Sequence, residues 1–461
     1  VTERNPQRPG SDQTQSWSPL SPGAERIRQY VLENPREKLT ALLHHVNRDT
    51  LRNAFYALQR QAAPGVDGTT WPVYEQELEE NLSALLARIH RGAYRATPVR
   101  RVDIPKPDGG VRALGIASLE DKIVQRAVVG NILEPVYEAE FAGFSYGFRP
   151  ARSAHDALDA LAYAICERNV NWIVEVDIKG YFDNIDRERL MSFLEERVRD
   201  RRVLRLVRKW LGAGVMDAGL RVDPVRGTPQ GAPISPLLAN VYLHNVLDRW
   251  FAEEWRPGNA GGEAYIVRYA DDFVLGFEHR GDAVRFLKDV ARRFTEYGLE
   301  LHPEKTRLIE FGREAADNRR RRGEGRPLTF DFLGLTHYCR TTRQGRFGLG
   351  RKPAAKRMQR TLRAVKKVLR LRMHEDPVQT GHWLGRVLAG WLGYYAVPTS
   401  YASLHQFRRS LRRAWLRSLR RRSQRDRFSW ERLDALCAQV WPKTRILHPW
   451  PNARFAVKHS K

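Results

Sequence analysis

Cysteine is scarce in this chain: three residues in 461, Cys166, Cys339 and Cys437, far apart and without a Cys-x-x-Cys pair. That spacing supports neither a disulfide framework nor a zinc ribbon, and it suits a reducing, cytoplasmic compartment. Long apolar runs are missing as well. No stretch of 18 or more apolar residues is present to cross a bilayer, and the opening Val1 to Arg8 lacks the apolar core of a secretion signal. Negative charge is also in short supply. Against 79 Lys and Arg stand 53 Asp and Glu, a formal net charge of +26. Self-repulsion on that scale calls for a polyanionic partner, nucleic acid rather than membrane.

Because acids are few, their placement is informative. Tyr269-Ala270-Asp271-Asp272 lies between two apolar runs, Tyr265-Ile266-Val267 and Phe273-Val274-Leu275. Such flanks read as strands, so the acids are expected at a hairpin tip aimed out toward solvent. Two adjacent carboxylates repel unless a cation lies between them, and hard oxygen ligands suit Mg²⁺. Taken alone, an Asp-Asp pair is equally a solvated turn. A third acid, Asp177, closes the β-branched run Trp172-Ile173-Val174-Glu175-Val176 and is followed at once by Lys179-Gly180-Tyr181-Phe182-Asp183. Carboxylates from two strands holding two ions ~3.5–4 Å apart is what two-metal phosphoryl transfer requires. The order strand-Asp, aromatic turn, Tyr-x-Asp-Asp hairpin is that of a polymerase palm.

Residues around these acids fit a nucleotide. The Tyr181 and Phe182 amides can point at a triphosphate as turn amides do in anion nests. An aromatic ring at Phe182 would clash with a 2′-hydroxyl and select deoxynucleotides, unless the ring is merely core. Lys106 and Arg112 flank the turn of a hairpin from Val99 to Gly115, from which they can cover the β- and γ-phosphates. Lys305 is a candidate general acid for pyrophosphate. Gln230, in the Gly- and Pro-rich bend from Gly227 to Leu237, offers an amide to a base or sugar edge.

Elsewhere the pattern is mostly helical. Residues 1–24 are rich in Pro, Ser, Gln and Gly and are expected to be disordered. Arg319, Arg320, Arg321 and Arg322, flanked by glycine, read as a mobile basic loop suited to phosphate, or as a solvated insertion. One later helix sets Met358, Leu362, Val365 and Leu369 against Lys366 and Lys367. Another sets Leu404, Phe407, Leu411, Trp415 and Leu419 against Arg408, Arg409, Arg412, Arg413 and Arg417, a face with almost no glutamate and suited to RNA phosphates.

Eight ordered blocks carry a resemblance. They are Pro64 to Gly68, Ile104 to Ile116, Phe144-Ser-Tyr-Gly-Phe-Arg-Pro150, Val176 to Asp183, Thr228-Pro-Gln-Gly231, Tyr269 to Asp272, Leu301 to Thr306 and Phe332-Leu-Gly-Leu335. In these the chain resembles bacterial group II intron-encoded reverse transcriptases and maturases. The resemblance implies an α+β right-hand polymerase with an antiparallel palm sheet and an α-helical thumb or maturase domain. It divides the chain into a 1–24 tail, an N-terminal extension and fingers at 25–155, palm at 156–345, a helical thumb or maturase domain at 346–425 and a short DNA-contacting segment at 426–461.

It also implies RNA-directed DNA synthesis and maturase-assisted splicing, with two Mg²⁺ ions held by Asp177 and Asp271 and supported by Asp272. The implied partners are intron RNA, a DNA target and primer, and deoxynucleoside triphosphates. The implied location is the bacterial cytoplasm, at the nucleoid when acting on DNA, and the oligomeric state is left open. The ending resembles that of members without a His-Asn-His endonuclease, for which priming from a nascent strand at a replication fork is expected. A splicing-only maturase, or a related enzyme recruited for defence, diversity generation or spacer acquisition, is the competing reading.

Overall fold

The computed structural model describes residues 21–105, 110–217, 219–223, 226–422 and 428–459, with side chains to residue 455. Lys106 and residues 1–20 lie outside these. Ordered structure begins earlier than the composition suggested. Ser21 caps the helix Pro22–Glu33 by accepting from the Ala24 amide at 3.2 Å, so helix formation overtakes the end of the Pro- and Ser-rich tail. Proline just inside the start suits this, because its missing N–H has no partner to lose there.

Three sheets carry the strands. The expected hairpin forms from β1 (Val99–Pro105) and β2 (Val111–Ile116). It is joined by β4 (Val215–Asp217) and β5 (Leu220–Val222) in the order β2-β1-β4-β5. The central sheet contains β3 (Trp172–Val176), β6 (Ala264–Tyr269), β7 (Asp272–Phe277) and β8 (Arg307–Glu310). Its order is β6-β7-β3-β8, and every neighbouring pair is antiparallel. A small sheet of β9 (Phe330–Phe332), β10 (Leu335–Thr341) and β11 (Phe347–Pro353) follows.

Beyond Asp272, strand β7 is apolar and buried because both faces of the central sheet are covered. Alternation still sorts its side chains. Phe273, Leu275 and Phe277 join the large core with Phe286, Val290 and Phe294 of the helix Arg280–Glu296. Val274 points the other way, to Leu158, Leu161 and Ile165 of the helix Ala154–Glu167. A third core gathers Met358, Val365, Leu388, Trp391, Leu411 and Trp415 from three consecutive helices. Phe428, Leu433, Cys437 and Trp441 belong to the same core, so the first half of the 426–461 segment is built into the helical domain.

The chain then returns to the central sheet's covering helix. Phe455 stacks on Tyr163 with centroids 4.4 Å apart, and Arg454 pairs with Asp159 at 3.0 Å. Asp159 also receives Arg351 from β11 at 2.9 Å. Among the described residues, no helix is long and apolar enough to cross a membrane.

His337 on β10 is fully buried and stacks face to face on Phe330 at 4.7 Å. Burial, aided by the Arg351 charge, pushes its pKa from 6.5 down to about 3. The unfolded chain therefore takes up this proton near pH 6.5 and the folded chain only near 3, so its stabilising effect is complete above about pH 6.5 and is lost as pH falls toward 3. His337→Phe is expected to flatten the acid-side decline in unfolding free energy, read from urea melts between pH 6.5 and 4. An unchanged slope would contradict a buried neutral imidazole.

Candidate active site

The catalytic candidates meet at one end of the central sheet. Val176 pairs with Phe273, so Asp177, the residue just past β3, comes level with Asp272 at the start of β7. Tyr269 pairs with Asp272, leaving Ala270 and Asp271 as a two-residue turn. Ala270 takes φ +59°, a left-handed conformation that costs a residue with a Cβ and needs support from its surroundings.

That support comes from beneath. Arg268 donates to the Ala270 carbonyl at 3.0 Å and to Asn240 Oδ1 at 2.9 Å. Its Nε donates to Asp248 Oδ1 at 2.8 Å, and Nη2 bonds to Asp248 Oδ2. Both charged side chains of this pair are 0% exposed. Asn240 in turn donates to the Gly147 carbonyl at 2.7 Å. A Cβ on Gly147 would lie 2.3 Å from the Ala270 nitrogen, so only glycine lets this strand pass under the turn. Phe144 and Tyr146 bond to the Arg268 backbone at 2.9 and 2.8 Å. The tip is thus packed rather than thrust into solvent: Ala270 is buried and Asp271 half-buried, while Asp272 keeps its outer side open.

Cations oppose all three acids. Lys305 Nζ lies 2.7 Å from Asp177 Oδ2, and the Asp177 carbonyl holds the Lys305 loop by accepting from His302 N at 2.8 Å. Asp271 has its pKa raised, first by burial and then by the Asp177 charge, against the opposing charges of Arg112 and Arg268. Asp272 is pushed up to about 7 by lost hydration and by the Asp271 and Asp177 charges, with Arg357 and Lys305 opposing. Its open outer side admits water, so the neighbouring charges are the part of this shift that a cation relieves. With the side chains as they stand, and among the described residues, no three His, Cys, Asp or Glu groups form a closed ion cage. The donors nevertheless suit a hard divalent ion: carboxylate oxygens from two adjacent strand ends, each destabilised by the others.

The turn after Asp177 is folded by Gly180, φ +57°, whose carbonyl accepts from the Asp183 and Asn184 amides. The Tyr181 ring is core, its hydroxyl donating to the Ala239 carbonyl at 2.5 Å, which leaves only its backbone for a nucleotide. Phe182 is half-buried, edge-on to Tyr181 at 5.4 Å, and its carbonyl accepts from Thr228 N at 2.9 Å. The Gln230 carbonyl accepts from Gly115 of β2 at 2.7 Å, and its side chain reaches Asp183 at 3.4 Å. The 227–231 bend therefore ties the hairpin sheet to the Tyr181–Asp183 turn. Arg112, exposed on β2, is the described cation of that hairpin felt at Asp271.

Several basic candidates lie away from this centre. The expected mobile loop at Arg319–Arg322 is instead the helix Ala315–Arg321 and its cap. Local acids explain the order: Arg319 pairs with Glu324 at 3.0 Å, Arg320 with Asp317 at 3.0 Å, and Arg322 with Glu310 and Glu324. In the helix Tyr401–Arg420, Arg408 donates to the Pro442 carbonyl at 2.6 Å and lies over Trp441. Arg412 covers Trp430 and pairs with Asp434. These two hold the following segment in place, while Arg409, Arg413 and Arg417, like Lys366 and Lys367, are exposed.

Residues 104–337 match the family described as reverse transcriptase (RNA-dependent DNA polymerase). The chain is 34% identical over 307 residues to Protein YkfC of Escherichia coli (strain K12), covering 58% of this chain and 79% of that protein. It is 36% identical over 224 residues to the group II intron-encoded protein LtrA of Lactococcus lactis subsp. cremoris, covering 48% of this chain and 37% of LtrA. An uncharacterized 91 kDa protein in a cob intron of Schizosaccharomyces pombe is 34% identical over 201 residues, 44% of this chain and 24% of that protein. The chain thus spans well under half of each of these two intron proteins.

Sequence inspection overlooked Arg268, Asp248, Asn240 and the role of Gly147. One signal was available: an arginine inside the apolar run Tyr265-Ile266-Val267-Arg268-Tyr269. Asp248→Asn leaves Arg268 buried without its counter-charge and is expected to lower unfolding free energy by ~3–5 kcal/mol. The double change Arg268→Met with Asp248→Leu should cost clearly less in the same denaturant titration. A single change no worse than the double would remove the buried charge from the account.

Proposed function

The chain belongs to the reverse transcriptase family, and on that premise we propose an RNA-directed DNA polymerase that also binds a group II intron RNA, assists its splicing and copies it into DNA. One observation carries the catalytic half: three carboxylates brought from two adjacent strands to one end of the central sheet and opposed by cations from separate elements. The intron half is supported by the likeness to LtrA, whose name makes it an intron-encoded protein, and by the exposed arginines of the helix Tyr401–Arg420.

The family generally uses divalent metal ions. In this reading Asp177 and Asp271 hold two Mg²⁺, with Asp272 in support, and the ions supply charge neutralisation at the attacking and leaving oxygens. The chain's own groups do the rest. Arg112 on the hairpin offsets triphosphate charge, with Lys106 assigned beside it. Lys305 stands next to Asp177 with an ammonium proton available to the departing pyrophosphate. The Tyr181 and Phe182 amides face the phosphates, the Phe182 ring excludes a 2′-hydroxyl, and Gln230 fixes the distance between hairpin and sugar pocket. Intron RNA falls to Arg409, Arg413, Arg417, Lys366 and Lys367, with a lesser share for the ion-paired Arg319–Arg322 group. DNA contact by the 426–461 segment falls to exposed Lys443, Arg445 and Trp450.

In a primer-extension assay on RNA template with Mg²⁺, the wild-type protein is expected to elongate a DNA primer and Asp271→Asn to be inactive though folded. In the same assay Phe182→Ala should raise ribonucleotide incorporation roughly tenfold or more relative to deoxynucleotide. No elongation by wild type would refute the polymerase, and unchanged sugar discrimination would refute the gate. Replacing Arg409, Arg413 and Arg417 by alanine should reduce the slope of log K against log salt for intron RNA by about 2 without changing the melting curve. Replacing Arg408 and Arg412 instead should lower thermal stability. An unaltered salt slope in the triple variant would place the RNA elsewhere.

A further inference from the structure

Phe182 sits on a single short helical turn, Tyr181–Asn184, entered through left-handed Gly180. One turn has little rigidity of its own, and its position is set from outside, by the bend at Arg226 to Thr228. Thr228 N donates to the Phe182 carbonyl at 2.9 Å, and Gly227 N to the Ile185 carbonyl at 2.8 Å. The Gly227 carbonyl in turn accepts from Arg187 Nε at 2.9 Å. The two segments run so close that a Cβ on Gly227, itself at φ +86°, would lie 2.9 Å from both the Phe182 and the Asp183 carbonyl oxygens.

Arg187 stands out in this join. It opens the helix Arg187–Glu195, whose Asp186 cap accepts from Arg189 N at 3.0 Å, so its backbone is fixed. Its side chain is half-buried and, among the described residues, has no carboxylate partner. The guanidinium is spent on main-chain oxygens instead, Nε on Gly227 and Nη2 on the Arg226 carbonyl at 3.4 Å. Partial burial of a cation without a counter-charge costs hydration. What the planar fork achieves is geometric: it clamps two successive carbonyls of the bend, while fully buried Ile185 holds the Gly227 amide.

We propose that Arg187 is a positioning residue for sugar selection: by clamping the Arg226 and Gly227 carbonyls it holds Thr228 N on the Phe182 carbonyl, and so keeps the Phe182 ring where a 2′-hydroxyl does not fit. The ring is half-buried, so core packing holds only part of it, and the bond from Thr228 sets how far it projects. The bend runs on to Gln230, whose carbonyl accepts from Gly115 of β2 at 2.7 Å. The clamp therefore also couples the ring to the hairpin that carries Arg112. This rests on the polymerase reading above and its sugar gate, and adds the residue that sets the gate.

The test measures kcat/KM for a deoxynucleotide and for the ribonucleotide of the same base, with the full chain, a DNA primer on an RNA template and Mg²⁺. Both values come from one preparation, so partial unfolding of a variant cancels in their ratio. Arg187→Met keeps the stem and removes the fork. It is expected to lower the deoxy-over-ribo ratio about three- to tenfold, mainly through a higher kcat/KM for the ribonucleotide. Arg187→Lys, whose ammonium keeps one carbonyl, should recover part of the discrimination. In a Phe182→Ala background Arg187→Met should move the ratio by less than about twofold, because its effect passes through the ring. A ratio unmoved by Arg187→Met, even with both rates reduced alike as a purely structural role predicts, overturns the assignment. So does the same fall with and without the Phe182 ring. Full discrimination in Phe182→Ala overturns the gate and this assignment with it, and failure of wild type to elongate removes the polymerase reading beneath both, a result distinct from the others.

Discussion

A buried ion pair under a strained turn underlies the whole site. Arg268 and Asp248 are both removed from water, at a desolvation cost that a bidentate contact only partly offsets. What the arrangement gains is definition. The same guanidinium fixes the Ala270 carbonyl and the Asn240 side chain, and through Asn240 the Gly147 strand. A left-handed alanine is thereby kept in place, and Asp271 and Asp272 leave the turn in opposite senses, one half-buried and one open. Without that anchor two adjacent carboxylates would relax apart, and the register that brings Asp177 level with them would have nothing to meet.

The acids, the hairpin of β1 and β2 and the central strands were legible in the sequence because they rest on local patterns. β-branched runs end on acids, and glycines mark the turn. The antiparallel order β6-β7-β3-β8 follows once those strands are paired. What escaped was set by residues distant in the chain. Gly147 and Ala270 touch across more than a hundred residues, and nothing local in Phe144 to Pro150 says what it passes beneath. Arg319 to Arg322 misled for the opposite reason. Their density resembles a phosphate-binding loop, but Asp317, Glu324 and Glu310 lie close enough to pair with them and stiffen a helix. Arg408 and Arg412 share a helix face with aromatic rings that arrive 18 or more residues later, which periodicity along one helix does not reveal.

The charge pattern at the centre also has a common cause. Like charges gathered at one end of the sheet raise the proton affinity of Asp271 and Asp272, and the surrounding cations come from β2, the Lys305 loop and the helix Ala355–Leu371. The hairpin sheet, the loop after the central sheet's helix and the helical region each contribute a positive group to the same small region. Local electrostatics are therefore sensitive to the relative position of all three parts, and the excess of basic residues over the rest of the surface attracts the polyanion whose arrival those cations meet.

Asp159 gives this assembly a mechanical character. One carboxylate on the helix Ala154–Glu167 receives Arg351, at the entry to the helical domain, and Arg454, at its return. A domain fastened at only one end moves as a cantilever; this one is held at its entry and at its return against the same helix. Swinging it away strains both arginine contacts and the Phe455–Tyr163 stack at once, so the base of the cleft is braced against gaping open.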